Sequence, residues 1–200
     1  MNFGIQTNYT VTGQKIYIDF NNITTSDMCL TALGPAKSKI ILENLENGIY
    51  DIEIKVGYKN NTGKLIVTNQ SFELEIEDPE DLQIERNPLL RVPENTIWGV
   101  IGYHSATTNA LAQSYIDSLK ILGAITISLT EGDYGYFTTD INSNIIKPTN
   151  NGYWFSIPYV FKYTNDMKTL EEMIKNYGID YSDSVSIKLY SSEGDYLWAY

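Results

Sequence analysis

The stretch WGVIGY, residues 98–103, returns as WFSIPY at residues 154–159, and both copies read Trp-x-x-Ile-x-Tyr. A second pair follows in the same order. ITISLTEGDY at 125–134 matches VSIKLYSSEGDY at 185–196, and both end in Glu-Gly-Asp-Tyr. Two matched blocks in register indicate that the C-terminal half of the chain contains an internal repeat.

A helix is predicted between the two blocks of each copy. In the first copy, Thr107 or Thr108 caps a stripe of apolar residues at helical spacing, and Gly123 ends it. In the second copy a similar stripe is predicted to close at Gly178. Each copy therefore reads strand, helix, strand.

Two such units in tandem resemble the ferredoxin-like fold, a duplicated split βαβ arrangement with both helices on one face of an antiparallel sheet. The resemblance implies an α+β domain over residues 95–200 with the spatial strand order 4-1-3-2. The two Trp-x-x-Ile-x-Tyr strands would then be central. The four strands are predicted at 96–104, 124–139, 153–163 and 184–199.

Residues 1–78 show the pattern of β-strands instead. Apolar and polar residues alternate, as in IYDIEIKV at 49–56, where Ile49, Ile52, Ile54 and Val56 are assigned to one face. Gly, Asn or Pro interrupts the pattern about every ten residues, which is typical of a small β-sandwich.

The stretch LENLENGIYDIEIKVGYKNNTGK, residues 42–64, resembles a corner of fibronectin type III and other immunoglobulin-like sandwiches. Leu45, Gly48 and Tyr50 match its leucine, tight turn and strand-opening tyrosine, and Tyr50 is a tyrosine-corner candidate. The resemblance implies an all-β immunoglobulin-like sandwich as the first of two domains.

Residues 79–94 are predicted to link the two domains. Three prolines stiffen this stretch, and its apolar residues indicate that it packs on one domain: Pro79, Pro88, Pro93, Leu89, Leu90 and Val92.

Composition excludes several classes of function. The net charge is −11, and acidic residues exceed basic ones along the whole chain, so nucleic acid is not an expected partner. No apolar run reaches about 20 residues, so membrane insertion is not expected. One cysteine permits no intrachain disulfide. No nucleotide loop or His/Cys cluster is visible, and we expect neither a cofactor nor a metal.

The only histidine, His104, lies beside Ser105 where a strand gives way to a helix. Together with Thr107 and Thr108 it forms a weak candidate for an anion site at the helix start. We favour strand ending and helix capping for these residues, and an enzyme using His104 and Ser105 is the least favoured function. The two Glu-Gly-Asp-Tyr copies are expected on opposite sheet edges, about 14 Å apart, as acidic bends.

Sixteen tyrosines and three tryptophans favour interfaces. We expect a non-catalytic structural or adhesive accessory protein that assembles with other protein subunits. An immunoglobulin-like module with no visible signal peptide suggests a bacteriophage virion component, a capsid or tail decoration made in the cytoplasm and exposed on the particle. The alternative is a carbohydrate- or peptide-binding surface module. The interaction candidates are Trp98, Tyr103, Tyr134, Tyr136, Trp154, Tyr196, Trp198 and Tyr200.

Overall fold

The structure is a computed structural model that describes residues 4–24, 35–43, 45–146 and 155–200. The chain divides into two compact units, Met1–Arg91 and Val92–Tyr200. Strands predominate, and the two helices of the described residues both lie in the second unit, so the predicted β-rich class is confirmed.

The described residues of the first unit form six strands whose neighbours in the sheet follow chain order. Adjacent strands run antiparallel except β2 and β3, which are parallel. The strands are β1 (Gly4–Thr12), β2 (Lys15–Thr24), β3 (Gly48–Val56), β4 (Lys59–Val67), β5 (Ser71–Ile76) and β6 (Leu89–Leu90).

One face of this sheet carries the core of the first unit. The sequence predicts two facing sheets, whereas the described strands of this unit lie in one sheet. A parallel pair needs a crossover connection, and the connection from β2 to β3 brings Ile40, Leu42 and Leu45 against the apolar face. The buried residues of that face are Ile16, Ile18, Tyr50, Ile52, Ile54 and Val67.

Tyr50 forms the corner that the sequence predicts. Its hydroxyl donates to the backbone carbonyl of Glu46 at 2.9 Å, just before β3 begins. Ile49, which the sequence pattern assigns to the core face, is 53% exposed instead. Strict alternation explains this, because Tyr50, Ile52 and Ile54 occupy the core face and their odd-numbered neighbours point away.

Most of the stretch predicted as a linker lies against the first unit. The amide group of Asn87 exchanges two hydrogen bonds with the backbone of Leu74, at 2.8 and 3.0 Å. Buried Asn61 likewise accepts from the N–H of Glu80 at 2.6 Å and donates to its carbonyl at 3.1 Å. The guanidinium of Arg91 stacks over the ring of Phe72.

In the second unit, the described parts of the chain form a five-stranded sheet in the order β13-β12-β7-β11-β8, with all neighbours antiparallel. Taking β7, β8, β11 and β12 as strands 1 to 4, the order is the one that the repeat predicts, with β7 and β11 central. The single edge strand predicted at 184–199 is wrong, because this stretch turns back on itself as the β12–β13 hairpin and β13 takes the edge. The elements are β7 (Thr96–Tyr103), α1 (Asn109–Ile121), β8 (Ile125–Thr126), β9 (Gly132–Asp133), β10 (Thr138–Thr139), β11 (Phe155–Lys162), α2 (Met167–Tyr181), β12 (Val185–Ser191) and β13 (Tyr196–Ala199).

The predicted strand at 124–139 is wrong beyond its first residues. Only Ile125–Thr126 joins the sheet, and the chain then leaves it to form the short β9–β10 hairpin. This excursion buries its own apolar side chains, among them Leu129, Tyr134 and Phe137, which a flat edge strand would expose. The first Glu-Gly-Asp-Tyr copy therefore does not lie on an edge of the sheet.

Both helices contribute to one core, on the sheet face formed by the odd-numbered residues of β7, β11 and β12. Gly123 ends α1 with φ +101°, and the N–H of Ala124 donates to the carbonyl of Leu119 at 3.0 Å. The prediction that α2 closes at Gly178 is wrong, because the helix continues to Tyr181. A Cβ at Gly178 would lie 2.7 Å from the Cβ of Ala199, so this glycine allows close packing on β13.

Candidate interaction surface

Aromatic rings line up across the sheet face that points away from the helices. The register places Trp98 opposite Tyr190, and Tyr190 opposite Tyr196, on three neighbouring strands. Trp98 and Tyr190 stack with ring centroids 6.0 Å apart, and Tyr190 and Tyr196 stack at 4.9 Å. Cross-strand aromatic pairs of this kind stabilise a sheet.

The β9–β10 hairpin extends this arrangement over the same face. Tyr136 and Phe137 contact Trp98 at centroid distances of 5.1 and 5.9 Å, and Tyr134 stacks on Phe137 at 5.0 Å. We call this set the aromatic row: Tyr134, Tyr136, Phe137, Trp98, Tyr190 and Tyr196.

The aromatic row is buried at its centre and open at both ends. Trp98 is only 6% exposed, whereas Tyr136 is 60% and Tyr196 47% exposed. Beyond Tyr196, Trp198 and Tyr200 form a further ring pair with centroids 5.1 Å apart, and each is more than half exposed. The rings of Tyr136, Tyr196, Trp198 and Tyr200 are thus available to a partner.

Two hydroxyls of the aromatic row, those of Tyr190 and Tyr134, have a raised pKa. Burial raises the pKa of Tyr190, and the neighbouring hydroxyls of Tyr196 and Tyr200 act in the same direction. Burial also raises the pKa of Tyr134, although its hydroxyl donates to the carbonyl of Thr130 at 3.1 Å. The hydroxyls of Tyr190 and Tyr134 therefore stay uncharged at physiological pH.

The interaction candidates predicted from the sequence do not all lie on this surface. Trp98, Tyr134, Tyr136 and Tyr196 belong to the aromatic row, but Tyr103 faces the helices. Tyr103 is 9% exposed, stacks on Phe155, and accepts a hydrogen bond from the side chain of Asn109 at 2.7 Å. Trp154 lies outside the described residues.

Sequence reasoning missed Phe137 and Tyr190. The alternation in VSIKLYS could have identified Tyr190 as a residue of this surface. It places Tyr190 on the same strand face as Ser186 and Lys188, which is the face away from the core. Phe137 carried no such signal, since its position depends on the excursion that leaves the sheet.

The aspartates of the two Glu-Gly-Asp-Tyr copies accept hydrogen bonds from nearby residues and so stabilise their own turns. The carboxylate of Asp133 accepts from the N–H of Gly135 at 2.7 Å, and the carboxylate of Asp195 accepts from the hydroxyl of Ser191 at 2.7 Å. Within the described ranges, no group of three or more His, Cys, Asp or Glu side chains is placed to hold a metal ion.

The hydroxyls around His104 bond mainly to one another. Ser105 Oγ lies 2.7 Å from Thr107 Oγ1 and 3.3 Å from Thr108 Oγ1. Thr108 is the residue before α1, but its hydroxyl donates to the carbonyl of Ser105 and makes no hydrogen bond to the helix amides. These contacts explain the turn, and the anion site stays a prediction.

An open sheet edge adjoins the exposed aromatics. Among the described residues, β13 pairs only with β12, and its other edge borders a groove of about 440 Å³ beside α2. From the helix this groove is lined by Glu171, Ile174, Lys175, Gly178 and Ile179, and from the strand side by residues 196–200.

A second groove, of about 550 Å³, lies in the first unit. Tyr17, partly buried, is surrounded there by hydroxyl, carboxylate and ammonium groups. The polar side chains that line this groove are those of Thr10, Thr12, Lys15, Asp51, Glu53, Thr62, Lys64 and Glu77.

No helix of the described residues could span a bilayer. Comparison of the chain with protein-family models, with curated proteins and with solved structures gives no match.

Proposed function

We propose that this chain is a non-catalytic structural or adhesive accessory protein that assembles with other protein subunits through the second unit. The observation that carries the proposal is the exposure of Tyr136, Tyr196, Trp198 and Tyr200 around the aromatic row. Tyrosine and tryptophan are enriched at protein interfaces because they bury a large apolar area and keep a hydrogen-bonding group.

Packing within the aromatic row holds two of these rings, Tyr136 and Tyr196, in place. Trp98 anchors both the hairpin and the β12–β13 strands, so the exposed rings at either end rest on a buried aromatic layer. Side chains held in place in this way lose little rotamer freedom when a partner binds. This supports a binding role for the rings over a purely stabilising one.

The setting that we propose is a bacteriophage particle, in which the chain would decorate the capsid or the tail. Two fold assignments belong to this proposal. The β12-β7-β11-β8 order with both helices on one face supports a ferredoxin-like second unit, and the Tyr50 corner supports an immunoglobulin-like ancestry of the first. The setting is tested by mass spectrometry of purified particles from the source of the chain.

The assembly role is tested by removing exposed rings. We expect the double substitution Tyr136→Ser with Tyr196→Ser to reduce co-sedimentation of the chain with larger complexes in extracts of its source. The matched control is Tyr58→Ser, which removes a fully exposed tyrosine from a turn of the first unit. A chain that sediments alone in those extracts and stays monomeric when purified contradicts the proposal.

A second function, carbohydrate binding, is favoured by the groove around Tyr17. A partly buried ring surrounded by hydroxyl and carboxylate groups can stack on a sugar and bond to its hydroxyls. A glycan array tests this function: binding that Tyr17→Ala abolishes and Tyr58→Ser leaves intact would favour it over the assembly role.

A further inference from the structure

The open edge of β13 has its own hydrogen-bonding pattern, which follows from the β12–β13 hairpin. The N–H of Ser191 donates to the carbonyl of Asp195 at 3.0 Å, which closes the hairpin. Antiparallel strands alternate between bonded and non-bonded pairs, so the Leu189–Leu197 pair is bonded and the Tyr190–Tyr196 pair is not. The backbone N–H and C=O groups of Tyr196 and Trp198 therefore point outward, toward the open edge.

We propose that β13 pairs antiparallel with β13 of a second copy of this chain, around a two-fold axis at Leu197. The inference rests on the proposed assembly function and names the partner. With Leu197 on the axis, Tyr196 of one copy pairs with Trp198 of the other, and each pair exchanges two backbone hydrogen bonds. The sheet of the second unit becomes continuous across both copies.

The exposed rings fit this register. Tyr196 and Trp198 share the strand face opposite the helices, so the two-fold arrangement places each ring beside the other ring type of the second copy. Aromatic pairs directly opposite each other on neighbouring strands attract, and both rings lose part of their exposure to water. β13 therefore contains both ring types of each aromatic pair, so two copies of the strand can form these pairs with each other.

Charges on α2 are self-complementary in the same register. Gly178 lies beside Ala199, and α2 leads by a short turn into β12, which is antiparallel to β13, so α2 and β13 run in the same direction. Glu171, seven residues before Gly178 and also in the groove lining, is therefore placed toward the Tyr196 end. A two-fold axis at Leu197 then passes near the midpoint between Glu171 and Lys175. Rotation about this axis brings Lys175 of the other copy opposite Glu171. The two-fold symmetry then makes this contact twice. This complementarity selects a second copy as the occupant of the edge.

Proline tests the backbone pairing. Trp198→Pro removes an outward N–H and leaves the bonds to β12 in place, whereas Trp198→Thr removes the ring and keeps the N–H. We expect the proline variant to weaken the dimer at least tenfold more than the threonine variant in sedimentation equilibrium. Val11→Pro, in β1, which is likewise an edge strand, is the matched control and should leave the dimer unchanged.

Charge reversal tests the register. Glu171→Lys alone and Lys175→Glu alone each place like charges opposite each other twice, so each should weaken the dimer. The double reversal restores opposite pairs and should restore the dimer. A parent chain that stays monomeric at high micromolar concentration overturns the inference, as does a dimer that survives Trp198→Pro and both single reversals.

The outcomes separate this inference from the proposed function. If Trp198→Pro and the single reversals at Glu171 and Lys175 leave association intact while Tyr136→Ser with Tyr196→Ser reduces it, the chain assembles through another contact and the second-copy register is wrong. If the parent chain neither dimerises nor joins larger complexes, both the inference and the proposed function are wrong.

Discussion

At the scale of single residues, Gly99 decides how tightly the central strands can approach. A Cβ at this position would lie 2.0 Å from the carbonyl oxygen of Lys188 and 2.6 Å from the hydroxyl of Tyr159. That hydroxyl donates to the same carbonyl at 3.0 Å and bonds to buried Tyr115 at 2.9 Å. The glycine therefore makes room for a hydrogen-bond network inside the core.

We predict that Gly99→Ala lowers the free energy of unfolding by about 1–3 kcal/mol, because overpacking forces the backbone or Tyr159 to shift. Chemical denaturation monitored by circular dichroism measures the change. Gly13→Ala is the control, since a Cβ there meets nothing within 4 Å and costs only the strain of φ +58°. Equal losses in the two variants would contradict the prediction.

The same network makes the stability of the protein sensitive to alkali. Burial is the largest cause that raises the pKa of Tyr115 and of Tyr159 above the ordinary value near 10. Above pH 10 the unfolded chain releases these protons and the folded chain keeps them, so stability falls, by up to about 1.4 kcal/mol per pH unit for each tyrosine.

We predict that Tm declines steeply above pH 10 and that Tyr115→Phe makes the decline shallower. Thermal melts across the alkaline range measure both slopes. Tyr58→Phe serves as the reference, because Tyr58 is fully exposed. A Tyr115→Phe slope as steep as the slope of the reference would show that burial of Tyr115 does not control the effect.

At the scale of elements, the packing of α2 on β13 overrides helix propensity. Alanine is favoured over glycine in a helix by about 1 kcal/mol, so propensity alone predicts that Gly178→Ala stabilises the protein. The close approach to Ala199 predicts the opposite, since the two Cβ atoms would lie 2.7 Å apart. We therefore predict that Gly178→Ala lowers Tm and that adding Ala199→Gly restores it. A single variant with raised Tm would contradict the predicted clash.

At the scale of the whole molecule, each unit has its own apolar core. The core residues of the second unit lie between Ile97 and Ala199, and those of the first between Ile16 and Val67. We predict that residues 92–200, produced alone, unfold in one cooperative thermal transition with the near-ultraviolet signal of ordered aromatic rings. Loss of that signal would show that the second unit needs residues 1–91 to fold.

The sequence predicts much of the second unit and less of the candidate surface. The Trp-x-x-Ile-x-Tyr repeat gives two adjacent strands, and the apolar stripes give both helices, because period and repeat are local properties of the chain. The aromatic row was only partly predicted. Aromatic content identified Trp98 and Tyr196, but the contacts of Phe137 and Tyr190 depend on which strands become neighbours.

By itself, the amino-acid sequence determined the β-rich class, the corner at Tyr50 and the strand followed by a helix in each repeat copy, since each depends on residues close together in the chain. Only the tertiary structure decided that the chain leaves the sheet after Thr126 and that α2 continues past Gly178. Both outcomes depend on burial against distant residues. A glycine predicts a helix end from local sequence, and an alternating apolar run predicts a strand. Either prediction fails when packing against a side chain distant in sequence favours another conformation.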